Sequence, residues 1–420
     1  MSMSDKSNNY IFTLPSYQKN SNGIVCIWEA AYQFSKFRNV SVVIIDNQIT
    51  QIPSKFKKIQ IYYLDNQLKS NKSNINHISK ANFGKKDLTV QPDNPHGLNF
   101  DLEEYGLDDS RTVRYLMCKS MLLSESLLSM SSNSYGLSYS NAVSTVFPSY
   151  LIISDKILNI NNSFEKLKKK NKVLIYYGKV RYGLSFKNLK KIINQFDEYE
   201  IIHRLYPKKT SELYEKISES TLFVSIDPLT SLIHESTLIG TPAYVYDSAF
   251  KEFYDNFDFK LHGFYYDLKP SELTKVFKDS ENLSEKAVNT AKDFMANIEE
   301  RTKKTIENIE GHFLNNISNE GIIKDAINED ITFFKEKWKV PTIFNCTSYR
   351  TIYRYHITNK YKIFALLALY INRLRVSFRN SFILKYLTTE EKTIIKKYLK
   401  RNFIREDIRL KEQNKIKKFW

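Results

Sequence analysis

Several features that would assign a function directly are missing from this sequence of 420 residues. Its three cysteines are widely spaced and odd in number, which indicates reduced thiols and argues against a disulfide framework or a zinc site. There is no Gly-x-Ser-x-Gly nucleophile elbow and no Walker loop. The longest apolar run covers nine residues, 363–371, whereas a membrane-spanning helix needs about 20.

Charge and hydrophobicity divide the chain into two parts. Hydrophobic residues make up 42% and aromatic residues 14%, which is enough to build cores and argues against general disorder. Residues 341–420 contain 19 basic and 5 acidic residues, a net charge of +14, so the preceding 340 residues carry the remaining +3 of the total of +17. The N-terminal nine residues have no apolar signal core, and we therefore expect a cytoplasmic protein.

Strand-like apolar runs alternate with helical patterns along the first 340 residues, which predicts an α/β protein. Residues 10–15 form the first expected strand, a polar loop ends at Gly23, and residues 24–37 form an amphipathic helix. A β-branched strand follows at 40–45. This order is typical of the start of a Rossmann-like domain, although the complete glycine fingerprint is absent.

A second α/β unit begins with the strand-like run at Val173. We predict a helix over 211–218 with Ser211 as its N-cap, and a long helical pattern over 284–313 that crosses back to the first domain. We expect three parts. Residues 1–160 form an N-terminal Rossmann-like domain, residues 161–340 form a C-terminal Rossmann-like domain with its closing helix, and residues 341–420 form a basic aromatic helical tail.

The most informative segment is the one from Thr221 to Tyr246. An apolar strand leads to Asp227, a short amphipathic helix carries Glu235, and Gly240 stands where a helix C-terminus favours glycine. In a parallel α/β sheet this is the carboxyl edge of the strands, where ligands bind. Thr230 and Ser231 fall near the helix start, whose free N–H groups and dipole suit a phosphate.

This segment resembles the nucleotide-sugar site of two-domain, GT-B-type glycosyltransferases, many of which have an acidic residue, seven intervening residues, then Glu and a Gly-x-Pro-type turn. Asp227 and Glu235 have that spacing, and Gly240-Thr241-Pro242 supplies the turn; the first acid is Asp where the commonest version has Glu. The resemblance implies that Glu235 binds the ribose of a sugar nucleotide. The alternative is an ordinary βαβ unit in which Glu235 is solvated.

Other donor-site residues follow from the same resemblance. Gly178, Lys179 and Arg181 come directly after a strand, where a glycine lets the backbone approach a pyrophosphate and a cation neutralises it. Arg204, at the end of the next strand, is placed to reach the pyrophosphate, and Asp227 and Glu235 are the expected catalytic carboxylates. The alternative is a set of solvated cations at loops.

The first domain would hold the acceptor. A turn that contains Asn94-Pro95 is followed by a predicted helix over 111–123 with paired arginines. Together they resemble a segment of bacterial surface-polysaccharide transferases. We also predict a strand over 146–153. Asp93 and His96 are the candidates for a catalytic base, although nothing in the sequence selects them. The spacing from Asp227 to Glu235 favours retention of configuration, which needs no dedicated base.

No metal or organic cofactor is expected. The chain has no Asp-x-Asp motif, with which single-domain transferases hold the diphosphate through a divalent ion. In the two-domain class, helix dipoles and Lys or Arg replace that ion. The nucleotide-diphosphate sugar is then a co-substrate.

The basic tail allows three interpretations. Its cationic and aromatic residues recur at helical spacing, which suits helices on an anionic membrane surface. The same composition suits a nucleic-acid backbone, but the α/β body has no nucleic-acid motif, which argues against nucleic acid as a partner. The third possibility is a helical subdomain packed on the body.

Together these observations predict a glycosyltransferase that moves a sugar from a nucleotide-diphosphate donor to a glycan or lipid-linked oligosaccharide, such as a lipopolysaccharide O-chain or capsule. Its location would be the inner face of the cell membrane. A nucleotide-sugar epimerase of the same fold and a non-catalytic membrane- or carbohydrate-binding scaffold are the alternatives, since one fold hosts many chemistries.

Overall fold

The fold consists of two parallel β-sheets with helices packed against them. The structure is a computed structural model, and it describes residues 9–19, 21–46, 50–64, 76–93, 103–117, 127, 130–154, 159–160, 165, 167–177, 192–203, 206–227, 230–245, 254–266, 272, 276 and 282–338. These observations confirm the expected α/β class with two Rossmann-like sheets.

The first sheet has seven parallel strands in the order β4-β3-β2-β1-β5-β6-β7. The strand order reverses between β1 and β5, as it does in the doubly wound fold. Short apolar runs form these strands because parallel strands are buried on both faces. Their bounds are β1 Tyr10–Leu14, β2 Val40–Ile44, β3 Gln60–Tyr63, β4 Asn76–His77, β5 Leu88–Pro92, β6 Thr112–Leu116 and β7 Tyr135–Ser138.

The second sheet has five parallel strands in the order β12-β11-β10-β8-β9. Its strand order reverses between β8 and β10, which pair in register with Ser225 opposite Tyr176. This is the flavodoxin-like variant of the doubly wound order. The bounds are β8 Lys170–Tyr177, β9 Glu198–His203, β10 Ser220–Ser225, β11 Ala243–Val245 and β12 Phe264–Tyr266.

Six α-helices of the described residues accompany these sheets: α1 Asn22–Ser35, α2 Thr210–Glu219, α3 Leu232–Ile239, α4 Leu283–Ala296, α5 Ile298–Leu314 and α6 Glu320–Trp338. Helix α1 packs its apolar face on the first sheet, with Trp28 fully buried. Helices α2 and α3 belong to the second sheet and contact each other.

Helices α4 and α5 link the second sheet back to the first. Helix α4 packs on α3, and Ser284 Oγ donates to Leu238 O at 2.6 Å. Helix α5, which we call the crossing helix, packs on α1 and contributes Ile306 and Ile309 to the core of the first sheet. The predicted crossing pattern over 284–313 is therefore confirmed, with a break at Asn297 between its two helices.

Three local predictions were wrong. The predicted helix over 111–123 contains β6, because its β-branched and aromatic residues suit a buried strand that pairs on both sides, with β5 and β7. The predicted strand over 146–153 is irregular chain apart from one bridge between Ser138 and Ser149, and residues 150–153 of it are buried. Helix α2 has Lys209, not Ser211, at its N-cap.

The chain divides into two compact units, residues 1–119 with 130–326 and residues 120–129 with 327–420. Both sheets lie in the first unit. Of the second unit the structure describes Leu127 and residues 327–338, so the predicted tail over 341–420 lies outside the described residues. Within the described part of the chain, no helix is both long enough and apolar enough to cross a bilayer.

Candidate functional site

The strand order of each sheet reverses at one point, and in open α/β sheets such a reversal leaves a crevice at the carboxyl ends of the strands. In the first sheet the crevice lies between β1 and β5, and in the second sheet it lies between β8 and β10. Open α/β sheets bind ligands in such crevices. The loop that follows β1 leads into α1, and the loop that follows β10 leads into α3. The two crevices therefore identify two helix starts as parts of a site.

The two helix starts are in contact with each other. Asn22, the first residue of α1, donates from Nδ2 to Ser231 Oγ at 2.7 Å and to Glu235 Oε1. A second contact lies nearby in sequence after β7, where the backbone N–H of Asn141 donates to Asp258 Oδ2 at 3.0 Å and its amide donates to Oδ1 at 2.5 Å. We call these two interactions the cleft contacts.

The second side of the site is built by the turn from β10 into α3 and by the end of that helix. Ser231 occupies the N-cap position, and no side-chain cap bond forms there among the described residues. The helix ends at Gly240, whose left-handed φ of +96° closes it as predicted. This short, defined helix directs its N-terminus toward the cleft and places Glu235 in its first turn.

Glu235 is a buried carboxylate, 5% exposed, that accepts three hydrogen bonds from side chains. Oε1 accepts from Ser231 Oγ at 2.9 Å and from Asn22, and Oε2 accepts from the Tyr214 hydroxyl at 3.0 Å. Burial, followed by the charge of Glu235, raises the pKa of Tyr214 above its usual range. The Tyr214 phenol therefore remains protonated and donates to the carboxylate.

The first side of the site is built by the loop from β1 into α1. Trp28 Nε1 donates to Pro15 O at 3.1 Å, and the Asp46 carboxylate accepts from the backbone and hydroxyl of Ser16. These bonds fix the loop that presents Asn22. Gly23 has ordinary backbone geometry and open space where a Cβ would stand, so neither a close approach nor a special φ accounts for glycine here.

The other predicted carboxylates lie at the carboxyl edges of the sheets. Asp227 is buried two residues after β10, and its backbone carbonyl accepts from Ser225 Oγ at 2.7 Å. Asp93 is buried directly after β5, and its N–H donates to Tyr115 O at 3.0 Å. Asp227 therefore stands at the second crevice and Asp93 at the first.

Thr230 and His234 have local roles in the turn and the helix. Thr230 Oγ1 accepts from the backbone of Leu232 at 3.3 Å. The ring of His234 stacks on Phe257 and also contacts Phe259 and Phe264. Burial lowers the pKa of His234 to about 4, so the imidazole is neutral and packs as an aromatic ring.

Part of the predicted donor site lies outside the described residues: Gly178, Lys179, Arg181 and Arg204. Tyr177, the last residue of β8, immediately precedes Gly178 in sequence. In the described ranges, no group of three or more His, Cys, Asp or Glu side chains is placed to hold a metal ion. The metal-independent chemistry remains a prediction.

Two residues of the site were missed by the sequence analysis. Tyr214 lies inside the predicted helix over 211–218, and its spacing from Ile217 is that of one buried helix face. Asn22 lies beside Gly23, which alone drew attention. No sequence signal connects Asn22 with Glu235, because 213 positions separate them.

No family model matches the chain, and no curated protein matches it. Solved structures do match. A variant of the wall teichoic acid polymerase TagF, soaked with CDPG, is 12% identical, with 72% of this chain and 88% of that chain covered at a TM-score of 0.34.

Two further structures come from other proteins. An alpha-glucosyltransferase in complex with UDP and DNA is 12% identical and covers 77% of this chain and 100% of its own, with a TM-score of 0.33. UGT2 of Phytolacca americana, complexed with UDP-2fluoro-glucose and pterostilbene, is 9% identical and covers 77% and 99%, with a TM-score of 0.30. At such low identities and TM-scores, what those proteins bind is not carried over to this chain.

Proposed function

We propose that this protein is a glycosyltransferase that moves a sugar from a nucleotide-diphosphate sugar to a surface-glycan acceptor. The observation that carries the proposal is the position of Glu235: a buried carboxylate in the first turn of α3, beside the strand-order reversal of the second sheet, with the first domain directly opposite. A carboxylate in that position accepts hydrogen bonds from the hydroxyls of a ribose.

The helix start supplies the second part of the donor site. The first N–H groups of α3 and its dipole favour an anion, and the hydroxyls of Thr230 and Ser231 lie at that end. A nucleotide-diphosphate sugar could then place its diphosphate at this helix start and its ribose against Glu235. The sequence places Gly178, Lys179, Arg181 and Arg204 at the ends of the neighbouring strands as further phosphate ligands. Fixed dipoles and cations then do the work of a metal ion.

The first sheet would bind the acceptor at its own crevice. Asp93 follows β5 at this position and is the candidate to deprotonate an acceptor hydroxyl. Asp227 and Glu235 belong to the donor side, and the spacing between them supports retention, in which no separate base is required. Closure of the cleft around both substrates excludes water and suppresses hydrolysis of the donor.

The acceptor would be a lipid-linked glycan, such as a lipopolysaccharide O-chain or capsule precursor, on the cytoplasmic face of the membrane. The net charge of +14 in residues 341–420 supports attraction to anionic lipid. Sedimentation with anionic vesicles tests this location. Binding that decreases with salt and is absent on neutral vesicles is expected, and equal binding to neutral vesicles would contradict it.

The donor site is tested by calorimetric titration with UDP, GDP, dTDP and CMP. We expect micromolar binding of one nucleotide by the wild type and loss of that binding in Glu235→Ala and Glu235→Gln, the second of which keeps the side-chain shape. Glu285→Ala, in the first turn of α4 and exposed, is the matched control. Unchanged affinity in both Glu235 variants would refute the site.

Turnover distinguishes transfer from the alternatives. With the donor that binds, slow hydrolysis in the absence of acceptor supports a transferase, whereas conversion of the donor into its epimer identifies an epimerase. Binding with neither reaction in the presence of membrane extract would favour a scaffold.

A further inference from the structure

Both carboxylate oxygens of Glu235 already accept hydrogen bonds from other side chains of the protein. The carboxylate offers about four lone-pair positions, and three side-chain donors already use both oxygens. Two of these donors, Tyr214 on α2 and Ser231 at the start of α3, lie on helices that accompany the second sheet, as Glu235 does. The third, Asn22, comes from the first sheet and donates to the Ser231 hydroxyl as well. A ribose cannot use Oε1 fully while the Asn22 amide is there.

We infer that Asn22 is an interdomain latch that joins the two sides of the cleft and that the sugar nucleotide must displace it from Glu235. The inference rests on the proposed donor site. The Asn22 amide provides an N–H donor where the nucleotide would place a hydroxyl, so it satisfies the buried carboxylate until the ligand arrives. Without a donor there, a buried carboxylate oxygen would lose part of its hydrogen bonding, which is costly.

The described contacts across the cleft are hydrogen bonds between polar groups, which can break without exposing a core. Asn22 and Ser231 join through polar atoms at the starts of two helices. The other cleft contact, between Asn141 and Asp258, is exposed and also consists of hydrogen bonds. The crossing helix, by contrast, joins the first sheet by apolar burial. Among the described residues, opening at the cleft would break these hydrogen bonds and the one from Asp258 N–H to Ser140 Oγ, and it would leave the core of the first sheet intact.

The chain has a place where such a movement can be absorbed. Helix α4 packs on α3, except that Met295 near its end packs against the core of the first sheet, and α5 packs on α1. The helical run breaks between α4 and α5 at Asn297, where φ is −95° and ψ is 10°. Hinges are commonly a few residues at the ends of such elements. The cleft contacts are the bonds that would break on opening. The helix break at Asn297 is the proposed hinge about which the two sheets would move apart.

The first experiment needs no nucleotide. Small-angle scattering of the full chain compares the wild type with Asn22→Ala and with Asn22→Ala/Asn141→Ala. We expect a larger radius of gyration in the single variant and a further increase in the double variant. Asn9→Ala is the matched control, since Asn9 donates an equivalent amide bond to Asp87 at 2.9 Å within the first sheet. Unchanged scattering in both latch variants would overturn the latch.

The second experiment measures displacement. If the nucleotide competes with Asn22, Asn22→Ala should bind the preferred nucleoside diphosphate about fivefold more tightly, since one hydrogen bond no longer opposes binding. Weaker binding by Asn22→Ala would contradict the displacement of Asn22 by the nucleotide. It would mean instead that Asn22 itself binds the nucleotide. If no nucleotide binds the wild type while the scattering of Asn22→Ala still changes, the latch stands and the proposed donor site fails.

Discussion

At the crossing helix, Ile306 and Ile309 are buried in one core with β1 and β2, and Arg38 binds Glu310 through two 2.8 Å hydrogen bonds. At the cleft, Asn22 and Asn141 reach the second sheet through hydrogen bonds alone in the contacts described above. The first connection resembles the interior of a domain and the second resembles a transient interface. If the cleft opens as proposed, the crossing helix keeps the two sheets joined while the cleft contacts separate.

The largest expected effect lies at the crossing helix. Ile309→Ala should lower the free energy of unfolding by about 2–5 kcal/mol, because it leaves a cavity in the shared core. Leu314→Ala in the same helix is the control, since Leu314 is 81% exposed and its loss should cost less than about 0.5 kcal/mol. Urea titration measures both. Equal effects would mean that the crossing helix is not part of the core.

Two ion pairs between the crossing helix and the first sheet's α1 region sharpen the comparison. Arg38→Ala breaks the paired hydrogen bonds to Glu310, where the side chains are 29% and 22% exposed, and should cost about 1–2 kcal/mol. Lys36→Ala removes the pair with Glu299, which is 63% exposed, and should cost between 0 and about 1 kcal/mol. A larger loss in Lys36→Ala than in Arg38→Ala would reverse this ranking.

Lys169, which precedes β8, gives a pH-dependent test. Its ammonium donates to Ser218 O, Ser220 O and Thr241 Oγ1, and burial lowers its pKa to about 8, below the 10.5 of a free lysine. Between these pH values the unfolded chain binds more protons, so this residue makes stability rise with pH, by about 1–2 kcal/mol up to pH 9.5.

The measurement is the difference between wild type and Lys169→Met in urea titrations from pH 7 to 9.5. The wild type should gain stability relative to Lys169→Met as pH rises, and the subtraction removes the tyrosines that titrate in the opposite sense. A constant difference across this range would show that Lys169 keeps its proton in the folded protein.

A modest effect is expected on the cleft side, where the measurement is nucleotide affinity. Tyr214→Phe removes only the hydroxyl that donates to Glu235 Oε2. Nucleotide affinity should fall by about three- to tenfold, the equivalent of one hydrogen bond. Tyr199→Phe, on an exposed strand residue, is the control in the same calorimetric assay. An unchanged affinity would mean that Tyr214 does not position the carboxylate.

The sequence predicted the β10–α3–β11 segment to within about a residue, because each boundary has a local cause: an apolar run, a short amphipathic helix and a glycine at φ +96°. It failed at β6, where Thr112–Leu116 contains an arginine that is buried in the sheet. A charged residue in a short run favoured a solvated helix, and only the neighbouring strands show that the run is central.

The candidate site divides in the same way. Glu235, Ser231 and Asp227 were predicted from spacing within one βα unit, whereas Asn22 and Tyr214 meet Glu235 only after the chain has folded. A contact between positions 213 residues apart depends on how two sheets pack, and no short-range pattern encodes it.

The return of the crossing helix has a practical consequence for anyone who divides this chain. Ile298, Ile306, Ile309 and Phe313 complete a core whose strands lie before residue 140. A fragment that ends at residue 160 would present that apolar surface to water and would be prone to aggregate. The smallest piece expected to fold with its first sheet covered must extend through Phe313, so it necessarily includes the second sheet as well.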